Sequence, residues 1–277
     1  MKTHKILFIL LAFRIILSCS KSGSDSTPDN TPDPIPQNVD RSQNLLGTGA
    51  SANDILSNAN FDRLRIQIGH VSGFRPEQSA IDDLLEFLRL HTFKENIDVE
   101  FIELDSPNEE TLELQEIADL ELENRTAYND GSTLAIYIYF TDAPSEGDNP
   151  DENLVTLGAV YRNTSMVIYE STIRDLSART RGTLSNGTIE TATLNHEFGH
   201  LFGLVNLGTP AINDHEGVTT DISGVEVGNQ HCNVPGCLML AELEFGAAMS
   251  KMLISKNSQV PGLDAECMLD LRSNGGR

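Results

Sequence analysis

The spacing of apolar side chains changes several times along the chain, and each spacing predicts an element. Arg63–Val71 (RLRIQIGHV) alternates apolar and polar residues, the two-residue repeat of a strand. Ile81, Leu84, Leu85, Leu88 and Leu90 recur at helical intervals on a segment opening near Pro76. Asp98–Leu104 (DVEFIEL) reads as a second strand, and residues 109–128 as a long acidic helix carrying Leu112, Leu114, Ile117 and Leu120. Leu134–Phe140 (LAIYIYF) is almost continuously apolar, as a strand covered on both faces should be. Leu154–Tyr161 and Ser165–Tyr169 follow as strands, then a helix of about 15 residues ending near Gly203. Beyond it the pattern is irregular until a terminal helix over Asp264–Ser273. This order predicts an α/β (α+β) fold: a twisted mixed sheet with an edge hairpin, a backing helix, and an irregular C-terminal subdomain.

The front of the chain obeys none of these spacings. Lys2, His4 and Lys5 make a basic start, followed by Ile6–Phe13 and Ile15-Ile16-Leu17-Ser18, with Arg14 between them. The apolar run is shorter than the roughly 20 residues a membrane span needs, so residues 1–18 read as a targeting segment. Residues 20–45 are rich in Ser, Asp, Asn and Pro, hold no aromatic residue, and cannot bury a core; they read as a tether. No second linker interrupts residues 46–277, which are expected to form one domain. The junction Ile16-Leu17-Ser18-Cys19 resembles the lipobox of bacterial lipoproteins. That resemblance implies a lipidated Cys19 and a chain held at the bacterial cell envelope, on the outer membrane and exposed at its surface. An ordinary cleaved signal peptide with an incidental cysteine is the competing reading.

Charge narrows the partners. Nineteen Lys and Arg stand against 41 Asp and Glu, a formal net of −22, which repels phosphate backbones and anionic headgroups. Nucleic acid is therefore excluded as a partner, and membrane contact is left to the lipid anchor. The rest of the chain is expected to act as a monomer.

The candidate chemistry is concentrated in His196-Glu197-Phe198-Gly199-His200. On a helix, positions i and i+4 share a face, so both imidazoles can reach one ion, while Leu194, Phe198 and Leu201 pack the other way. Two imidazoles suit Zn2+, and Glu197 is placed to act as general base toward a water activated by that ion. A tetrahedral site needs a third protein donor. Three residues compete for the role: Asn206, a poor neutral donor; His215, flanked by Asp214 and Glu216; and His231.

With Gly203, the stretch reads HExxHxxG and resembles the metzincin clan of zinc peptidases. His231 precedes Met239 by eight positions, the spacing between third histidine and Met-turn methionine in matrix metalloproteinases and archaemetzincins. His-Cys-x4-Cys-x-Met over 231–239 is similar to the archaemetzincin pattern. The resemblance implies a zinc-dependent endopeptidase with one catalytic ion on His196, His200 and His231, Met239 beneath it, and a protein or peptide substrate paired along the edge strand within Leu154–Tyr161. It implies an insertion between Asn206 and His231, and no tyrosine follows Met239 where many metzincins carry one. A non-catalytic surface lipoprotein for adhesion or glycan binding is the rival reading, opposed by the retention of Glu197.

Cys232, Cys237 and Cys267 remain. Archaemetzincins hold a second zinc with four cysteines, two of them in a later Cys-x2-Cys pair that this chain lacks. The expectation is therefore a disulfide, most simply Cys232–Cys237, with Cys232–Cys267 and Cys237–Cys267 left open, and no second zinc site.

Overall fold

The computed structural model describes residues 40–152 and 154–277. The expected targeting segment, Cys19 and the tether up to residue 39 lie outside them. The packed body reaches back further than residue 46: Asn44 is buried and donates to the Ala135 carbonyl and to Thr164 Oγ1.

A short helix α1 (Ala52–Leu56) leads into β1 (Arg63–Val71), α2 (Gln78–His91), β2 (Asn96–Leu104), α3 (Leu114–Asn124) and β3 (Thr133–Thr141). Then come β4 (Gly158–Arg162), β5 (Ser165–Tyr169), α4 (Glu170–Arg179) and α5 (Asn186–Leu201). A hairpin of β6 (Glu216–Thr220) and β7 (Glu226–Cys232), α6 (Gly246–Ser255) and α7 (Ala265–Ser273) complete the chain. Strands β2-β1-β3-β5-β4 form one sheet in that order, parallel except for β4 at the edge.

The apolar run of β3 lies inside this sheet and is covered on both faces. Leu134, Ile136, Ile138 and Phe140 pack into the main core with Leu84 and Leu88 of α2 and Leu194 and Phe198 of α5. Tyr137 and Tyr139 point to the other face, against Ile117 of α3. Connection handedness explains the two layers. The step from β1 to β2 and the step from β2 to β3 run in opposite directions across the sheet. Right-handed crossovers therefore place α2 and α3 on opposite faces.

Several expectations change. The acidic helix is shorter than 109–128 because Glu113 caps it, in a reciprocal box with Glu116, while Leu112 is held in a bridge to Ser145. Its C-terminal end is set by Arg125, a buried guanidinium that donates to Glu121 at 2.6 Å and to the Ala127 and Ala135 carbonyls. Helix α4 is not marked by apolar spacing, because its sequence, ESTIRDLSAR, offers only Ile173 and Leu176 as large apolar residues. The C-terminal part is more regular than expected, with β6, β7 and α6. The edge strand begins at Gly158 rather than Leu154, because residues just before it pair elsewhere. Leu157 N–H donates to the Glu244 carbonyl at 3.2 Å, and Gly246 N–H donates to Val155 at 3.0 Å.

Candidate active site and metal centres

Ser185 caps α5 by accepting the Thr188 N–H, and the helix runs unbroken through both motif histidines. It ends in a Schellman turn: Leu204 N–H bonds to the Gly199 carbonyl, Gly203 N–H to that of His200, and Gly203 has φ +72°. His196 and His200 therefore stand one turn apart with Nε2 atoms 3.2 Å from each other. Strand β7 brings His231 to them, its ring 5.3 Å from that of His196 and 4.8 Å from that of His200. The metal-ligating atoms of the three lie within 4.8 Å of one another.

The geometry fits a zinc ion. Donors bonded at 2.0–2.1 Å on a tetrahedral ion stand about 3.3 Å apart, close to the 3.2 Å separation of the two helix histidines. The ring nitrogens facing away from the cluster are used in two cases: His196 Nδ1 donates to the Leu238 carbonyl at 2.8 Å and His231 Nδ1 to that of Asn229 at 2.7 Å. These bonds fix the tautomers and turn both Nε2 lone pairs inward. Nε2 of His231 is buried with no hydrogen-bond partner. Burial, reinforced by the neighbouring histidine, drives His196 down to about 3, and burial drives His200 well below its usual value, so both rings are neutral donors. His196, Glu197, His200 and His231 are 0, 1, 4 and 7% exposed, dry enough for the ligands to compete with water.

Glu197 turns from the same helix toward the edge strand. The absence of a side chain at Gly158 leaves room for its carboxylate: a Cβ there would stand 3.0 Å from Glu197 Cγ. Burial, and then the charge of Glu244, pushes its proton affinity well up. Met239 sits under the helix where a Cβ on Gly199 would fall on its sulfur. Gly199, an unassigned letter of the motif, is thus the residue that admits the methionine. The other residue that sequence reasoning missed is Glu244, whose Oε2 is 3.6 Å from His231 Nε2. Nothing in its spacing marks it, since the turn after Met239 brings it in.

The two rivals for third ligand are placed elsewhere. Asn206 donates to Glu216 and accepts from the Ala211 N–H. His215 Nε2 lies 3.5 Å from Asp270 Oδ2 and 3.7 Å from Cys267 Sγ.

That second neighbourhood corrects the cysteine expectation. Cys232, Cys237 and Cys267 are free thiols, so the disulfide is not formed. Together with Asp264 they form a second group whose donor atoms lie within 4.8 Å of one another. Cys237 and Cys267 sulfurs are 3.6 Å apart, near the ~3.7 Å expected of two thiolates bonded at 2.3 Å to one tetrahedral zinc. The three thiols are coupled: hydrogen bonds from Cys232 and then Cys267 pull Cys237 far down, while the bond with Cys237 pushes Cys232 up and those with Cys232 and Cys237 push Cys267 up, so the metal-free cluster holds one thiolate among three sulfurs. A carboxylate can stand in for a cysteine as a zinc donor, so this group is a candidate second metal site. Asp264-x2-Cys267 has the spacing of the missing Cys-x2-Cys. Asp264 uses Oδ1 to cap α7 and turns Oδ2 to Cys232 at 2.9 Å.

No model of a known protein family matches the chain, and no curated protein does. Among solved structures it is similar to archaemetzincin from Methanopyrus kandleri, with 15% identity, a TM-score of 0.46, and coverage of 77% of this chain and 96% of that one.

Proposed function

We propose that the protein is a zinc-dependent peptidase of metzincin type. The observation that carries this reading is the buried cluster of His196, His200 and His231 with Glu197 beside it on the same helix turn. When bound there, zinc would supply a Lewis acid for the scissile carbonyl and acidify a water. The chain's own residues do the rest. Glu197 takes the proton of the attacking water and passes it to the leaving amine, and its burial helps it hold that proton between the two steps. The outer edge of β4 offers main-chain groups for an extended peptide, which favours peptide substrates without selecting a sequence. Met239 and Gly199 set the floor on which the histidines rest. Cys232, Cys237, Asp264 and Cys267 hold a second, structural zinc that ties β7 to α7.

The test compares the purified full chain with Glu197→Gln. The expected outcome is an unchanged zinc content and a fall of at least about 100-fold in peptide cleavage. Equal cleavage by the zinc-loaded variant would overturn the mechanism. A zinc-loaded wild type that cleaves nothing in broad peptide libraries would favour the adhesion or glycan-binding module instead.

The reading includes a place in the cell envelope through lipidated Cys19. Among the described residues no helix is long and apolar enough to cross a membrane. Cys19→Ala should then move the protein out of the membrane fraction or leave an unprocessed precursor; normal processing with full membrane retention would remove this part of the reading.

A further inference from the structure

His231 can offer the metal only one nitrogen. Its Nδ1 is committed to the Asn229 carbonyl at 2.7 Å, so the free lone pair belongs to Nε2, inside the histidine cluster. A carboxylate that only oriented this ring would bind Nδ1, the side away from the metal. Glu244 does the opposite: its Oε2 lies 3.6 Å from Nε2. Two donors on one tetrahedral ion stand about 3.3 Å apart; Glu244 already stands near that distance from His231 but outside the three-histidine donor group, so its carboxylate must turn further toward His196 and His200 to share the ion. The backbone holds it there. Residues Ala241–Glu244 form a single tight turn after Met239, the Glu244 carbonyl accepts the Leu157 N–H at 3.2 Å, and Gly246 N–H pairs with Val155. This pairing joins the approach to the edge strand with the segment behind the Met-turn, closing one flank of the site. The Glu244 side chain remains 31% exposed.

Three histidine nitrogens leave one corner of a tetrahedron, the position a catalytic zinc site keeps for water or substrate. We propose that Glu244 is a fourth, displaceable ligand at that corner, so that the resting site is closed and opens when the carboxylate gives way to substrate. The proposal rests on the zinc reading of the three histidines. It deepens that reading by naming a residue that keeps the resting metal from idle contact with water, in a chain with no tyrosine soon after the Met-turn methionine.

The experiment loads the full chain with cadmium-113 and records its NMR spectrum, in which a nitrogen–oxygen site and a thiolate site resonate far apart. Glu244→Gln is expected to shift the histidine-site resonance and leave the thiolate-site resonance in place. Zinc affinity at the histidine site, measured by chelator competition, is expected to fall by about 10-fold or more, on the scale of metal-site partners. In the wild type, acetohydroxamate should move the same resonance by displacing the carboxylate. An unchanged resonance in Glu244→Gln, with zinc affinity within about twofold of wild type, would overturn the proposal while leaving the zinc site intact. A wild type with no histidine-site resonance would instead overturn the zinc reading, and the proposal with it. Should the variant not fold, a crystal structure of the zinc-loaded wild type decides: a Glu244 oxygen about 2.0–2.2 Å from the ion supports the ligand, and one beyond about 3 Å overturns it.

Discussion

Gly199 shows how much one missing methyl group controls. A Cβ at this position would overlap the Met239 sulfur, and Met239 is tied to both elements that carry the candidate ligands. Its carbonyl accepts the Cys232 N–H at 2.7 Å, next to His231, and the preceding carbonyl, Leu238, orients His196. Pushing the methionine down therefore moves two of the candidate ligands, His196 and His231, at once. Gly199→Ala should lower stability by about 1–3 kcal/mol, the usual cost of overpacking a core, and weaken zinc binding in the same protein. Pairing it with Met239→Ala should recover part of both, because the sulfur that causes the overlap is gone. Thermal melts and chelator competition read the two effects separately. An alanine variant with wild-type melting and zinc affinity would show that the methionine has room to move.

Helices α4 and α5 meet through two buried carboxylates. Glu170 accepts from Arg174 at 2.6 Å and Glu190 from the Glu77 N–H at 2.8 Å, yet one oxygen of each is buried without a partner. Burial, followed by the charge of Glu190, raises Glu170 to about 8; burial alone is the main cause raising Glu190 to about 7. The pair is best described as sharing a proton. Because the folded state binds that proton more tightly than the unfolded chain, stability is greatest below about pH 4.5 as far as this pair is concerned. It is lost as pH rises toward 7–8. Glu190→Gln keeps an acceptor for the Glu77 N–H and supplies a permanent donor. It should melt a few degrees higher than wild type at pH 8, on the order of 1–3 kcal/mol, and almost equally at pH 5. An equal difference at both pH values would mean that the pair does not hold a proton.

Across the whole molecule, β7 joins two centres. His231 faces the helix histidines, while the next residue, Cys232, faces Asp264, Cys237 and Cys267. The chain should therefore take up two equivalents of zinc. His231→Ala and Cys267→Ser should each lose one, by different donors. His215→Ala should keep both, because His215 lies beside Cys267 and Asp270 and outside both donor sets. Zinc counted against protein gives the stoichiometry, and melts with and without chelator show the stabilisation the metals bring. A single equivalent in the wild type, lost only with His231, would assign the thiols to another role.

Period and local chemistry determined a good part of this. The strand alternation of Arg63–Val71, the doubly covered run of Leu134–Phe140 and the terminal helix over Asp264–Ser273 follow from sequence neighbours, and the structure has β1, β3 and α7 there. So does the pairing of His196 with His200, because helical geometry alone puts i and i+4 on one face. What the sequence left open depends on residues distant in the chain. Helix α4 carries too few apolar residues to announce itself and is held by packing against its neighbours. Residues 154–157 satisfy an alternating pattern equally well in the edge strand or against Glu244–Gly246; only the position of the turn after Met239 decides. The choice among His231, His215 and Asn206 depends on where a hairpin inserted in the chain returns to the helix. The choice between disulfide and metal donors depends on Asp264 arriving from α7, 32 residues beyond Cys232. Backbone periodicity is a local property and can be read along the chain, whereas a metal site requires several donors to converge in space, and that convergence is set by the packing of the whole fold.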